Sequence, residues 1–237
     1  MIVLGVIPAR GGSKGIPRKN LVPLGGRPLM AYTCDVARGS RALTRVVVST
    51  DDAEIARTAE RLGVEVPFLR PSSLAADDTS MLDVLIDLLA TLEEREAYRP
   101  DVIVLLQPTS PFRRAAHVDT AVGLLQETGA DSVVSVVRVP HQFTPASLMR
   151  LDGDRLVPVD AAGGPTRRQD KPVLFARNGP AVLAVRTSSL REQRVLYGTD
   201  TRPLVMTREE SIDIDDAFDL ELAELLLLAR AGGRPLA

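Results

Sequence analysis

Short apolar runs alternate with longer amphipathic stretches along most of this chain. Five runs are brief and rich in β-branched residues: Ile2–Ala9 (IVLGVIPA), Arg45–Thr50 (RVVVST), Val64–Leu69 (VEVPFL), Asp101–Gln107 (DVIVLLQ) and Asp131–Val137 (DSVVSVV). A strand covered on both faces reads as an unbroken apolar run, so these predict buried strands. The stretches Pro28–Gly39, Asp51–Gly63, Thr79–Glu94 and Ala115–Gly129 place apolar residues near i, i+3, i+4 and i+7. That is the period of a helix with one buried face. Gly39, Gly63 and Gly129 stand where glycine commonly stops a helix. The alternation predicts an α/β fold class: a doubly wound, mostly parallel sheet with helices on both faces.

The rhythm breaks after Val137. Residues 138–178 are rich in proline, glycine and charge, and read as an excursion from the sheet with a hairpin around Asp152 and Gly153. Strand-like sequence returns at Pro180–Arg186 and Thr201–Met206, and a last helix is expected over Ala217–Arg230. The tail AGGRPLA is expected to fray. There is no internal repeat, and residues 1–237 read as one domain carrying the 138–178 insertion.

Composition narrows the function. Apolar residues make up 45% of the chain but aromatics only 3%, so the core is aliphatic. The net charge is −2, which argues against a nucleic-acid partner, since those proteins carry a basic face and stacking aromatics. Cys34 is the one cysteine, so neither an internal disulfide nor a cysteine metal cluster can form. The opening apolar run is too short for a membrane span, and its charge follows rather than precedes it. A soluble, cytoplasmic protein without a membrane partner is the expectation.

Against this acidic average, Ile7–Asn20 (IPARGGSKGIPRKN) is basic and glycine-rich, and the first carboxylate of the chain comes only at Asp35. A loop after the first strand of a doubly wound sheet sits at the strand's carboxyl end, where ligands bind. Its glycines let backbone N–H groups approach an anion, and Arg10, Lys14, Arg18 and Lys19 supply countercharge. The spacing matches neither the Walker A nor the dinucleotide pattern. The bland alternative is a solvated basic loop.

Two further stretches carry chemistry. In DVIVLLQPTSPFRR a buried strand runs into a polar turn, aiming the Gln107 amide into the crevice, with hydroxyls from Thr109 and Ser110 and a guanidinium fork from Arg113. In SIDIDD, extended backbone puts Asp213 and Asp215 on one face and Ile212 and Ile214 on the other. Two such carboxylates suit Mg2+, which takes one or two carboxylates and leaves its other positions to phosphate and water. The competing role is helix capping, which is assigned to Asp216. Capping also competes at Thr79 and Ser80, before the third amphipathic stretch. His117 falls within a helical pattern and is read as structural.

The loop IPARGGSKGIPRKNL resembles the opening signature of the acylneuraminate cytidylyltransferases. RPSSLAADDTS, LLQPTSPFR, RRQDKP, ARNGPAVLAV and SIDIDDAFDLELAE resemble further blocks of that family, in family order. The resemblance implies a Rossmann-like domain, CTP as donor, Mg2+ held by Asp213 and Asp215, and a homodimer that exchanges part of the excursion. It implies that Ala9, Arg10, Gly11, Gly12, Ser13, Lys19, Asn20 and Gln107 bind nucleotide. Arg70, with a hydroxyl from Thr79 or Ser80, would recognise cytosine. Arg10, Lys14 and Lys19 would act on the outer phosphates as pyrophosphate departs. Gln107, Thr109, Ser110, Arg113, His141, Arg168 and Arg177 would meet an anionic acceptor; Arg167, Arg168, Lys171 and Arg177 form a basic group before the NG turn. The acceptor half departs from the sialic pattern: NGPAVLAV lacks a tyrosine, and REQRVLYG lacks paired phenylalanines. A nonulosonic acid (sialic, legionaminic or pseudaminic) is the expected acceptor. A small phosphonate is the alternative, and a non-catalytic CTP-binding module the non-enzyme reading.

Overall fold

Two adjacent strands set the frame, because their side chains alternate between two apolar layers. The computed structural model describes residues 1–159 and 167–232. In chain order the elements are β1 (Val3–Pro8), the tight pair β2 (Pro23–Leu24) and β3 (Arg27–Pro28), α1 (Leu29–Gly39), β4 (Arg45–Ser49), α2 (Ala53–Arg61), α3 (Met81–Glu96), β5 (Val102–Leu105) and α4 (Ala115–Thr128). There follow β6 (Ser132–Arg138), β7 (Met149–Asp152), β8 (Arg155–Pro158), β9 (Phe175–Arg177), β10 (Leu183–Arg186), α5 (Thr187–Arg191), β11 (Thr201–Met206) and α6 (Ala217–Ala231).

The main sheet runs β11-β6-β10-β5-β1-β4, with β9 added beside β6. β4, β1 and β5 are parallel, as are β6 and β11, while β10 lies antiparallel between β5 and β6. β9 is also antiparallel to β6. The sheet is therefore mixed but mostly parallel. Val3 and Ile7 of β1 face a layer with Met30 and Cys34 of α1, Ile55 of α2 and Val118 and Leu125 of α4. Leu4 and Val6 face the other layer, with Leu85, Leu88 and Leu92 of α3 and Leu190 of α5. Burying both faces explains why these strands carry no polar alternation.

Val64–Leu69, expected as a strand, makes only one bridge, between Glu65 and Val47. Pro67 has no N–H to extend a ladder, so the segment stays an edge contact of β4. The hairpin of the excursion is β7-β8, closed by Gly153 at φ +63, the left-handed region that glycine takes without strain. Residues 160–166 of the excursion and the tail beyond 232, expected to fray, lie outside the described residues. Among the described residues no helix is long and apolar enough to cross a membrane.

His117 sits in the first turn of α4, where its Nδ1 accepts from the Arg114 backbone N–H at 3.2 Å. Burial lowers its pKa, against the pull of Glu210, and a cation at a helix N-terminus is also disfavoured. The folded state therefore binds fewer protons than the unfolded state just below the ordinary value of 6.5. Stability should fall as pH drops through that region, and a His117→Gln variant should show a shallower fall in its urea midpoint.

Candidate active site

The carboxyl ends of β1 and β5 open into a cavity of about 520 Å³. Pro8 and the following loop line one wall, Gln107 to Thr109 the floor, and Gly179, Asp213 and Asp215 an adjoining wall.

The loop is held by specific contacts rather than left free. Asn20, 7% exposed, donates through Nδ2 to the Arg10 carbonyl at 3.0 Å. Ile16 packs with Leu24, Leu29, Phe112 and Ile214 in a third apolar cluster. The Gly11 N–H is already bonded to the Asp51 carboxylate at 3.0 Å. Arg18, expected to supply countercharge, turns away and pairs with Asp52 at 3.3 Å and Glu54 at 2.9 Å. Lys19 turns inward: its Nζ donates to the carbonyls of Ile214 (2.8 Å) and Asp215 (3.2 Å) and to Asp215 Oδ1 (3.2 Å). A Cβ at Gly15 would collide with the Asp215 carbonyl oxygen. The amino-terminal loop and the carboxylate segment are thus in direct contact.

Residues 212–215 are not a ladder strand, yet the alternation holds. Ile214 is fully buried, and its N–H donates to the Thr109 carbonyl at 2.8 Å. That fixes Asp213 and Asp215 on the cavity wall. Asp216 caps α6, accepting from the N–H groups of Phe218 and Asp219, while Asp219 accepts in return from Asp216 N–H. Burial is the main cause that raises the Asp213 pKa, and the Asp215 charge adds to it. The Ser110 hydroxyl donates to Asp213 at 3.3 Å and opposes the rise. A partly buried anion beside a second anion gains strongly from a hard cation, and all donors here are oxygens. Among the described residues no cluster of three or more His, Cys, Asp or Glu surrounds a common point. A cation on this pair would therefore complete its shell with phosphate oxygens and water, which is the habit of Mg2+.

Gly179 ties its wall to the floor. Its carbonyl accepts from Gln107 Nε2 at 3.0 Å, and its φ is +112. A Cβ there would stand 3.1 Å from Asp213 Oδ2 and 3.2 Å from the Ser110 hydroxyl. Glycine thus leaves room for the carboxylate as well as permitting the backbone angle.

Of the residues singled out by sequence, the cavity gathers Arg10, Ser13, Lys14, Lys19, Asn20, Arg70, Gln107, Thr109, Asp213 and Asp215. The rest lie elsewhere. Ala9 and Ser110 are buried behind the wall, while Gly11 and Gly12 are not part of it. Thr79 Oγ1 points back to the Ser73 carbonyl at 3.5 Å, and Ser80 is the N-cap of α3, accepting from Asp83 N–H at 3.1 Å. Arg113 is a clear correction: it is 2% exposed and donates to the Ala181 and Gln107 carbonyls and the Thr33 hydroxyl. It ties α1, β5 and the approach to β10 together beneath the floor and presents no fork to a ligand. His141 lines a separate cavity of about 560 Å³ at the base of the excursion, with Arg138, Lys171 and Arg208. Arg177 lies over the Tyr197 ring, 4.4 Å from its centroid. The side chain of Arg168 lies outside the described residues.

Sequence reasoning missed Pro8, Gly15, Met81, Pro108 and Gly179 as lining residues. Met81 reads as the first core position of a helix. The NGP turn at Gly179 was the available signal, since a glycine after asparagine often takes positive φ.

The family model described as cytidylyltransferase matches residues 4–196. The CMP-N,N'-diacetyllegionaminic acid synthase of Legionella pneumophila is 36% identical over 96% of this chain and 97% of its own length. The N-acylneuraminate cytidylyltransferase of Escherichia coli is 32% identical over 93% of this chain, which spans about half (51%) of that protein. In fold, the chain is similar to CMP:2-keto-3-deoxy-manno-octonic acid synthetase complexed with CTP, with a TM-score of 0.73 at 17% identity over 97% of this chain and 100% of that one. A family match over most of the chain, joined to a relative alike from end to end, identifies this protein as a nucleotidyltransferase of the cytidylyltransferase family.

Proposed function

We propose that the cavity binds CTP and that the enzyme transfers CMP to a nonulosonic acid of the sialic or legionaminic type, releasing pyrophosphate. The observation that carries this reading is the meeting of Arg10, Lys14 and Lys19 with Asp213 and Asp215 around one cavity. An acceptor hydroxyl oxygen bonds to the α-phosphorus as the bond to the β-phosphate breaks. Pyrophosphate leaves with the electron pair, and the hydroxyl proton passes to solvent.

Arg10 and Lys14, toward the exposed side of the loop, hold the outer phosphates and stabilise the charge that builds on the leaving group. Lys19 keeps the carboxylate segment against the loop. Gln107, whose Nε2 is bonded to Gly179, offers its amide oxygen to ligand. Asp213 and Asp215 would hold Mg2+, which would supply positive charge for the phosphate oxygens as charge builds in the transfer. The end-to-end likeness to the legionaminic acid synthase supports the acceptor class.

Pyrophosphate release should be measured with CTP, UTP and ATP against a panel of nonulosonic acids and phosphonates. Release with CTP and one nonulosonic acid, abolished by EDTA and restored by Mg2+, is the expected result. Full activity in EDTA would remove the metal role, and a preference for a phosphonate would remove the acceptor class.

We infer further that the enzyme works as a homodimer through its excursion. A two-stranded hairpin is marginal alone, yet β7-β8 exposes Leu151 (74%) and Leu156 (64%), with Phe143 and Met149 exposed nearby. A second copy covering this surface would also bring His141, Arg168 or Arg177 toward an acceptor. The Leu151→Glu/Leu156→Glu double variant should sediment as a monomer with lower activity. An unchanged mass would exclude this surface.

A further inference from the structure

The two loop cations assigned to the outer phosphates already hold a carboxylate. Arg10 Nη1 lies 2.8 Å from Asp77 Oδ1, and Lys14 Nζ lies 2.9 Å from Asp77 Oδ2. Each oxygen of one carboxylate takes one cation, as two oxygens of a polyphosphate would. Arg10 Nη1 also donates to the neighbouring Ala76 carbonyl at 3.3 Å.

The segment that carries Asp77 is lightly held. It links the turn at Ser72–Leu74 to α3, and Ala76, Asp77 and Asp78 are exposed. Its internal hydrogen bonds are long, from Thr79 N–H to the Ala76 carbonyl (3.3 Å) and from Thr79 Oγ1 to the Ser73 carbonyl (3.5 Å). The cap at Ser80 fixes α3 independently. Asp77 can therefore leave its partners without unwinding a helix, and solvent-exposed pairs of this kind are weak.

We propose that Asp77 is a resident competitor for the outer phosphates: it occupies Arg10 and Lys14 in the empty enzyme, yields to the triphosphate, and returns to help expel pyrophosphate. The proposal rests on the phosphate-binding role given above to these two cations. In an empty site, unpaired cations would repel each other and collect stray phosphates. A tethered carboxylate limits both effects and favours release of the leaving group. Lys14 first, and Arg10 with it, hold the Asp77 carboxyl below its ordinary value, and it is a carboxylate at neutral pH in either case.

The test is calorimetric binding of CTP, pyrophosphate and CMP to the full chain with Mg2+, for the wild type, Asp77→Asn and Arg10→Gln. Asn keeps the shape and removes the charge. The expected result is CTP and pyrophosphate binding about three- to tenfold tighter in Asp77→Asn, with CMP unchanged because it has no outer phosphates. Product inhibition by pyrophosphate should strengthen in step. Unchanged or weaker CTP binding in Asp77→Asn, or an equal gain for CMP, overturns the competitor role. If Arg10→Gln also binds CTP and pyrophosphate like the wild type, the phosphate role of the loop falls with it. Weaker binding in Arg10→Gln beside no change in Asp77→Asn overturns the competitor alone.

Discussion

Asp213→Asn is expected to lower CMP transfer by about 100- to 1,000-fold, the range seen when a charge-stabilising group is lost from an active site, while leaving the fold intact or more stable. The two effects separate because Asp213 is a costly anion. Burial and the Asp215 charge raise its pKa in the folded protein. The native state then holds a proton more firmly than the unfolded chain, so stability declines as pH rises from the ordinary aspartate value of 3.8 through the higher native value. Asn removes that decline. Pyrophosphate release, together with melting curves at mildly acidic and neutral pH, checks both halves. A variant that turns over at the wild-type rate would end the metal assignment, and one that melts far lower would make Asp213 structural. Asp215→Asn should lose activity comparably, with Lys19 still held by the two carbonyls.

Gly15→Ala is expected to cost about 100-fold in turnover, since a displacement near 1 Å in an active site can cost that much. The added methyl group would collide with the Asp215 backbone carbonyl, which cannot swing aside as a side chain does. The loop must retreat, lengthening the Lys19 contacts and widening the gap between cations and carboxylates. The apolar layers around β1 are not touched, so circular dichroism should be unchanged. Gly123→Ala, in α4 and away from the cavity, is the control: a Cβ there meets nothing within 4 Å, and activity should stay near the wild-type level.

The strands and helices were legible because burial on both faces writes an unbroken apolar run, and the helical period is plain in segments such as Met81–Glu96. Strand order was not legible. Nothing local in Leu183–Arg186 shows that it inserts antiparallel between β5 and β6, because a covered strand looks alike in either direction. Val64–Leu69 misled through its β-branched residues, and Pro67 was the overlooked veto. At the site, the basic loop and the SIDID alternation were readable because charge and spacing stand out against an apolar frame. Arg113 was not, since an arginine after a proline-bracketed turn looks the same whether it meets a ligand or buried carbonyls. In the sequence Gly15 reads as one loop glycine among several, yet its need comes from a backbone oxygen two hundred positions away.

The contact between Lys19 and Asp215 spans 196 positions, and this has a consequence for biosynthesis. A ribosome releases the basic loop long before the carboxylate segment that packs against it. On the proposed function, a nascent chain whose early strands and helices have formed must still wait for Asp213 and Asp215 before it can act on nucleotide. On that reading, catalytic competence reports that translation has passed Asp215.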